Sequence, residues 1–240
     1  MHLCIDIGNT QTKAAVLAAG SVVEQAVWTQ EPTACMAEML ARFDVDAVAV
    51  ACVGRMAPEL AAALAALPCR VLNVSGSTPS PLAYAREEYA SLGADRLAAA
   101  VGAWAEAAGQ DLLVVDAGTC ITFDYVSAAG VFVGGNISPG LGLRLRAMHE
   151  HTALLPLISA EGDAPAWGID TPTALRSGAK WGVHFEIMGY ISKFLAKHPD
   201  GRIFLGKEPL FEDELFEDER ICVRKDMVFT GLDKILSIDN

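Results

Sequence analysis

The spacing of apolar and polar positions changes repeatedly along the chain, and each change predicts an element. Leu3–Ile7 is a mainly apolar run and predicts a strand. Gly8-Asn9-Thr10 predicts a tight turn, because Gly and Asn both tolerate positive φ. Thr12–Leu17 predicts a second strand and, after the break at Gly20-Ser21, Val22–Thr29 a third. Helical spacing returns over Thr33–Phe43, followed by a short apolar strand, Ala47–Cys52. Pro58–Leu67 reads as a helix opened by its proline and closed by Pro68, and Val71–Val74 as a strand. Ser75–Pro81 is a Ser, Thr, Gly and Pro-rich loop. Ala94–Ala108 predicts an Ala-rich helix with Asp95 in its first turn and Gly109 at its end. Leu112–Val115 is a buried strand, with Ile121–Val126 and Val131–Gly135 as antiparallel neighbours. Leu141–His151 predicts a helix, and Pro172–Ala196 contains another, interrupted near Gly178 and Gly182. Arg202–Leu205 and Ile221–Val223 are the last strands, and the acidic stretch Glu212–Arg220 reads as a solvated face or loop.

Strands alternating with helices give an α/β class. The strand and turn Cys4-Ile5-Asp6-Ile7-Gly8-Asn9-Thr10 recur in outline as Val114-Val115-Asp116-Ala117-Gly118-Thr119. In each, an apolar strand leads into an Asp, then x-Gly and a Thr. This internal repeat of about half the chain predicts two related lobes, 1–109 and 110–240.

Composition narrows the choice of partners. The 240 residues are 52% hydrophobic and 20% charged, enough apolar material for a full core. With 18 basic against 30 acidic residues the net charge is −12, which argues against a nucleic-acid or anionic-membrane binder. The six cysteines form no Cys-x-x-Cys pair and have no His at zinc spacing, so they read as small buried hydrophobes. No basic stretch followed by an apolar core opens the sequence, and runs such as Ala47–Val53 and Leu60–Leu67 fall short of the ~20 residues a membrane span needs. A cytoplasmic location is expected.

The repeated Asp-x-Gly turn has a chemical reading. Gly lets the backbone approach a ligand closely. The N–H groups of the turn and a Thr hydroxyl can donate to phosphate oxygens. An Asp at the strand end can hold a hydrated cation beside them, and Lys13 adds a positive charge near the first turn. Two such hairpins facing each other would clamp a triphosphate. No Gly-x-x-x-x-Gly-Lys-Ser/Thr is present, and Pro139 spoils the glycine cluster 134–142 as a dinucleotide fingerprint.

In combination these residues resemble the type III pantothenate kinases. Asp6-Ile-Gly-Asn-Thr-Gln-Thr-Lys13 resembles the family's first phosphate motif, Leu92-Gly-Ala-Asp-Arg96 its pantothenate motif, and Asp116-Ala-Gly-Thr119 its second phosphate motif. Gly134-Gly-Asn-Ile-Ser-Pro-Gly140, Thr152-Ala-Leu-Leu-Pro156, and Asp170-Thr171 with Ser177-Gly178 follow in the family's order, so the resemblance covers residues 2 to about 190. It implies an actin-like ATPase fold of two ribonuclease-H-like lobes, with mixed sheets flanked by helices. It implies phosphorylation of pantothenate by ATP, the first step toward coenzyme A, with Mg²⁺ and a monovalent cation (K⁺ or NH₄⁺). It also implies a homodimer whose interface completes the pantothenate site. Carried over by position, Asp6, Ile7, Gly8, Asn9, Thr10, Gln11, Thr12, Lys13 and Thr119 would contact ATP. Asp6 would face Mg²⁺ through water, and Asp116 would hold the monovalent cation. Asp95 would be the general base, and Gly93, Ala94, Asp95, Arg96 and Thr171 would line the pantothenate site.

Two departures stand out. The family's Tyr seven residues before the motif Gly is replaced by Arg86, with Tyr84 and Tyr89 flanking it; Tyr89 is the candidate substitute. A Thr-Gly-Gly expected near the adenosine corresponds to Phe204-Leu-Gly-Lys-Glu-Pro209, with one Gly.

Each candidate also has a plainer reading. Asp95 suits a helix first turn, where the dipole favours a carboxylate, and Arg96 suits a surface salt bridge. Asp6 and Asp116 could cap turns, and Lys13 could be an exposed strand residue. Asp124 is a further cation candidate, but strand alternation points it to solvent. Thr152 and Thr171 suit helix caps or loops, and a helix start at Pro172 could also bind a carboxylate. His149 and His151 fall on a helix face, and Trp104, Trp167 and Trp181 are packing or dimer-contact residues. Another small-molecule or sugar kinase, a polyphosphate-acting phosphatase, and a catalytically silent regulator remain alternatives; the family includes members named Bvg accessory factors.

Overall fold

Strand β1 (His2–Ile7) is mainly apolar, with Leu3, Cys4, Ile5 and Ile7 buried, because helices cover both of its faces. The computed structural model describes residues 1–28, 31–206 and 218–238, which divide into two units. The first comprises Met1–Gln110, Val126–Gly134 and Lys225–Asn240. In it β1, β2 (Thr12–Ala18) and β3 (Ser21–Trp28) form an antiparallel meander. Strands β4 (Ala47–Cys52) and β5 (Arg70–Val74) add on the other side of β1 in parallel, giving the order β3-β2-β1-β4-β5.

Parallel neighbours need crossovers, and α1 (Pro32–Arg42) and α2 (Pro58–Ala65) supply them. Each begins with the proline that the sequence places at its first turn. The Glu31 carboxylate caps α1 by accepting from the N–H groups of Thr33 and Ala34 at 3.0 and 2.9 Å. Leu3, Ile5 and Ile7 join Val48 and Val50 against Met36, Met39, Leu60 and Leu64 of these helices.

The opposite face is covered by α3 (Ala94–Glu106) and α6 (Met227–Ile238). These two helices touch backbone to backbone: a Cβ added at Gly231 would stand 1.8 Å from the Ala98 carbonyl oxygen. Helix α6 is tied to the sheet where His2 Nδ1 meets the buried Asp233 carboxylate at 2.7 Å, and where Arg70 donates to the Leu236 carbonyl at 3.2 Å. Cys4 is buried nearby, and burial, with the Asp233 charge adding to it, pushes its thiol well above the usual range. A two-residue strand, β6 (Ala83–Tyr84), pairs with Val131 and Phe132, the first residues of β9 (Val131–Pro139).

The second unit comprises Asp111–Tyr125 and Gly135–Arg224. Strands β7 (Leu112–Ala117), β8 (Cys120–Val126), β10 (Arg202–Leu205) and β11 (Ile221–Val223) take the order β11-β10-β7-β8-β9 with β9. Strand β10 runs parallel to both β7 and β11. Read from the third strand inward, this matches the first unit, with two strands leading to a first strand that gains two parallel neighbours. The internal repeat in the sequence is therefore a repeat of topology. Helices α4 (Leu141–Glu150) and α5 (Thr171–Leu195) complete the unit, and Val183, Ile191 and Phe194 of α5 pack on Leu113, Val115, Ile121 and Phe123.

Several expectations need correction. Helix α5 runs unbroken for 25 residues through Gly178 and Gly182. Each helical glycine costs about 1 kcal/mol, which the capped start and the buried Leu175, Ala179, Val183, Ile191 and Phe194 outweigh. Strand β9 extends four residues beyond Gly135, to Pro139. Asp124 is only 1% exposed, because β8 lies inside the sheet with both its faces covered, so alternation does not send it to solvent. Helix α6 was not expected at all. Thr29, Lys207–Pro209 and the acidic residues 212–217 lie outside the described residues.

Candidate active site

The first turn is built by β1 and β2. Their register sets Asp6 opposite Lys13 and Ile7 opposite Thr12, and the Gly8 N–H closes the turn onto the Gln11 carbonyl at 3.0 Å. Asn9, Thr10, Gln11 and Lys13 are exposed, while Asp6 and Gly8 are half-buried and Ile7 is in the core. The chain leaving β4 locks this turn from below. Val53 and Gly54 both donate to the Ile7 carbonyl, at 3.0 and 3.1 Å. Gly54 then lies so close that a Cβ there would stand 2.3 Å from the Gly8 carbonyl oxygen. The result is a loop tied down by backbone hydrogen bonds with the polar residues Asn9, Thr10 and Gln11 exposed, a composition that suits phosphate oxygens.

The second turn, in the other unit, follows the same plan. Gly118 donates to the Cys120 carbonyl at 2.9 Å between β7 and β8, with Asp116 and Thr119 half-buried beside it. Gly140, the residue before α4, donates to the Thr119 carbonyl at 3.0 Å, and a Cβ on it would stand 2.3 Å from the Gly118 carbonyl oxygen. The chain leaving β10 returns here as well, with Gly206 donating to the Val115 carbonyl at 2.8 Å. Gly206 is the one glycine of the altered Phe204–Pro209 stretch, and it holds a structural position.

At the start of α3, Gly93 is the N-cap residue and Asp95 lies in the first turn. The Asp95 carboxylate accepts from the Arg96 N–H at 2.8 Å, and a Cβ on Gly93 would stand 2.7 Å from its Oδ1. Glycine at 93 is thus what leaves room for the carboxylate beside the helix N-terminus, where the dipole favours negative charge. Asp95 and Arg96 are half-buried, and Ala94 is buried. Ahead of them, Arg86 is exposed, Tyr84 donates to the Gly76 carbonyl, and Tyr89 donates to the Val133 carbonyl at 2.9 Å. Burial raises the Tyr84 phenol above its ordinary range.

Helix α5 opens with a reciprocal cap, in which Asp170 accepts from the Thr173 N–H at 2.8 Å and the Thr173 hydroxyl returns to the Asp170 backbone. The Thr173 hydroxyl donates to the Asp170 carboxylate as well and, with the Thr173 N–H, holds it below the usual carboxylate range. Thr171, in this first turn, lines a cavity of about 510 Å³ with Met148, Leu155, Ile169, Ala174 and Gly178. Thr152 has a local partner, the Met148 carbonyl at 2.6 Å, and His149 Nδ1 lies 2.7 Å from the Leu155 carbonyl. Trp104 packs on Gly130 within the first unit, whereas Trp167 is exposed. Among the described residues no cluster of three or more His, Cys, Asp or Glu could hold a metal, and no helix is long and apolar enough to cross a membrane.

The sequence reading missed Gly54, which shapes the first turn as closely as Gly8 does. Its signal was available only as a glycine two residues past a short apolar strand.

Comparison with known proteins points to one family. The family model for type III pantothenate kinase matches residues 2–193. The chain is 40% identical over 242 residues to the type III pantothenate kinase of Bacteroides fragilis, covering 100% of this chain and 99% of that one. It is 36% identical to that of Phocaeicola vulgatus, with the same coverage. Among solved structures it resembles a Baf family transcriptional activator from Campylobacter jejuni, with a TM-score of 0.60, 20% identity, and coverage of 99% of this chain and 98% of that one. It also resembles a 2-dehydro-3-deoxygalactonokinase protein from Sinorhizobium meliloti, with a TM-score of 0.53, 16% identity and 98% coverage of both chains. The structural likenesses show the fold alone, an α/β architecture of mixed sheets flanked by helices. Family match and full-length identity together place this chain in the type III pantothenate kinase family.

Proposed function

We propose that the two glycine-locked turns and the start of α3 carry out the ATP-dependent phosphorylation of pantothenate, the first step toward coenzyme A, that family membership assigns to this chain. The observation that carries the residue assignment is the Asp95 carboxylate, held in the first turn of α3 by the Arg96 N–H at 2.8 Å, with Gly93 leaving open the space beside it.

Asp95 accepts the proton of the pantothenate primary hydroxyl as that oxygen bonds to the γ-phosphorus and the bond from that phosphorus to the β,γ-bridging oxygen breaks to release ADP, a proton transfer that requires hydrogen-bond reach. Arg96 pairs with the substrate carboxylate, which its planar fork suits. Thr171, at a helix N-terminus beside a cavity, adds a hydroxyl to the same substrate. Asp6 through Lys13 hold ATP by turn N–H groups, hydroxyls and the Lys13 charge, and Thr119 contributes from the second turn. Phosphoryl transfer depends mainly on such positioning and charge neutralisation.

One half-buried carboxylate at each turn supports the expected cations. Asp6 is one half-buried carboxylate beside an open turn, the kind of ligand set that suits a Mg²⁺ carried by nucleotide phosphates and water. Asp116 gives a monovalent cation, K⁺ or NH₄⁺, a carboxylate oxygen next to the carbonyls of a tight turn. When bound, these ions neutralise the phosphate charge that an acidic protein does not.

A homodimer is part of this reading. Leu154, Trp167 and Ile169 are 92%, 87% and 91% exposed on one segment, and Phe185 of α5 is exposed as well, which supports an apolar contact with a second copy. The six free cysteines are in keeping with a reducing cytoplasm.

The test is to mix the protein with pantothenate, ATP and Mg²⁺, with and without K⁺, and to detect phosphopantothenate by mass spectrometry. K⁺-dependent product is expected. Absence of product with every nucleotide and cation would overturn the assignment.

A further inference from the structure

Residues 84–92 form the approach to α3, and they are attached to the first unit at points that the sequence pattern does not disclose. The segment begins with β6 pairing onto Val131 and Phe132 of β9. Next comes a 3₁₀ turn, Glu87–Ser91, none of whose residues is buried in the core. Such a short, exposed turn has little intrinsic stability. It is nevertheless held at its middle residue. The Tyr89 ring stands edge-on to the fully buried Phe132, with centroids 5.3 Å apart and planes at 78°, and edge-on to Tyr84 at 6.4 Å. Its hydroxyl donates to the Val133 carbonyl at 2.9 Å.

Gly134 is shaped to this contact. Its φ is +154°, and a Cβ there would stand 2.9 Å from the Tyr89 hydroxyl oxygen. The Tyr89 carbonyl in turn accepts from the Leu92 N–H at 2.9 Å, and Gly93, the α3 N-cap, follows directly. A continuous series of contacts therefore runs from Val133 through Tyr89 and Leu92 to the turn that carries Asp95.

We infer that Tyr89 is a positioning residue: by anchoring the 3₁₀ turn to β9 it fixes the α3 N-terminus, and with it the Asp95 carboxylate. Its hydroxyl proton is given to the Val133 carbonyl, and its contribution to the reaction passes through Asp95. The effect on catalysis rests on the assignment of Asp95 as the base; the effect on the helix start does not.

Tyr89→Phe keeps the ring packing and deletes only the hydroxyl contact. In the full-length protein it should speed amide hydrogen exchange at Arg96 and Leu97, whose N–H groups bond to Asp95 Oδ1 and the Gly93 carbonyl. A displacement well under 1 Å at a reacting group is enough to lower kcat about tenfold, and that loss is expected with the KM for pantothenate unchanged within about twofold. Tyr89→Ala should enlarge both effects. A raised KM with unchanged kcat would show direct substrate contact and overturn the inference, as would unaltered exchange at Arg96 and Leu97. If Asp95→Asn retains full turnover, the base assignment is lost, and the exchange measurement alone still decides whether Tyr89 sets the helix start.

Discussion

Gly54 sits against the Gly8 carbonyl so closely that a methyl group on Gly54 would approach that oxygen to 2.3 Å. Contact at that distance is impossible without moving the turn. Gly54→Ala should therefore raise the KM for ATP by tenfold or more, which corresponds to at least about 1.4 kcal/mol of lost binding. Steady-state kinetics at varied ATP checks this. Gly189→Ala is the contrasting substitution. Nothing lies within 4 Å of the added carbon, and Gly189 is inside α5, so the melting temperature should rise by the equivalent of about 0.5–1 kcal/mol.

Asp95→Asn preserves shape and removes the proposed proton acceptor. A positioned base typically contributes about 10²–10⁴-fold. kcat should fall by that range with little change in the KM for either substrate. The chemical step is read by phosphopantothenate formation at saturating ATP and pantothenate.

Gly231→Ala probes the contact between α6 and α3. The added carbon would stand 1.8 Å from the Ala98 carbonyl oxygen, so the helices must separate. Overpacking of this kind costs about 1–3 kcal/mol or more. Thermal unfolding should report the loss, and activity should fall with it because α3 carries Asp95.

Asp170 gives a pH signature at the start of α5. Its carboxyl is held below the usual range, first by the Thr173 hydroxyl and then by the Thr173 N–H. A lowered folded-state value means that the cap contributes fully above the unfolded value of about 3.9 and is lost as pH falls through the folded one. Unfolding measured from pH 6 downward should lose this contribution below about pH 4. Asp170→Ala should lower the melting temperature at neutral pH and abolish that acid dependence.

Tyr125 marks the alkaline side. Burial, followed by its hydrogen bond to Asp111 at 2.7 Å, pushes its phenol up to about 12. A raised folded-state value stabilises the neutral form, so the contribution is present below the unfolded value of about 10 and fades as pH rises toward the folded one. In an absorbance titration of the four tyrosines, Tyr84 and Tyr125 should both ionise late, and Tyr125→Phe should remove the step near 12.

Most strands and helices were legible because their signals are local. The prolines at the starts of α1 and α2, the glycine turn after β1 and the apolar run of β4 each act on neighbouring residues through sterics and backbone hydrogen bonds. Both Asp-x-Gly turns were legible for the same reason, and their repetition announced the matching strand orders of the two sheets. The Asp124 reading failed because alternation assumes one solvated face, and β8 has none. Helix α5 was expected to break because glycine propensity is local, while the packing that outweighs it comes from β7 and β8.

By itself, then, the sequence determined the order of the elements from β1 to β11 apart from β6 and the 3₁₀ turn, the two Asp-x-Gly turns, the Gly93–Arg96 motif and the repeat that relates the halves. The tertiary structure decided what depends on residues far apart in the chain. It made Gly54 the lock on the Gly8 turn, and it brought α6 back onto α3 and His2. It also turned Tyr89 onto Val133. The physical reason is the same in each case. A turn or a cap is specified by interactions within a few residues, whereas a close approach is specified by the absence of a side chain at one position and the presence of a backbone atom from another.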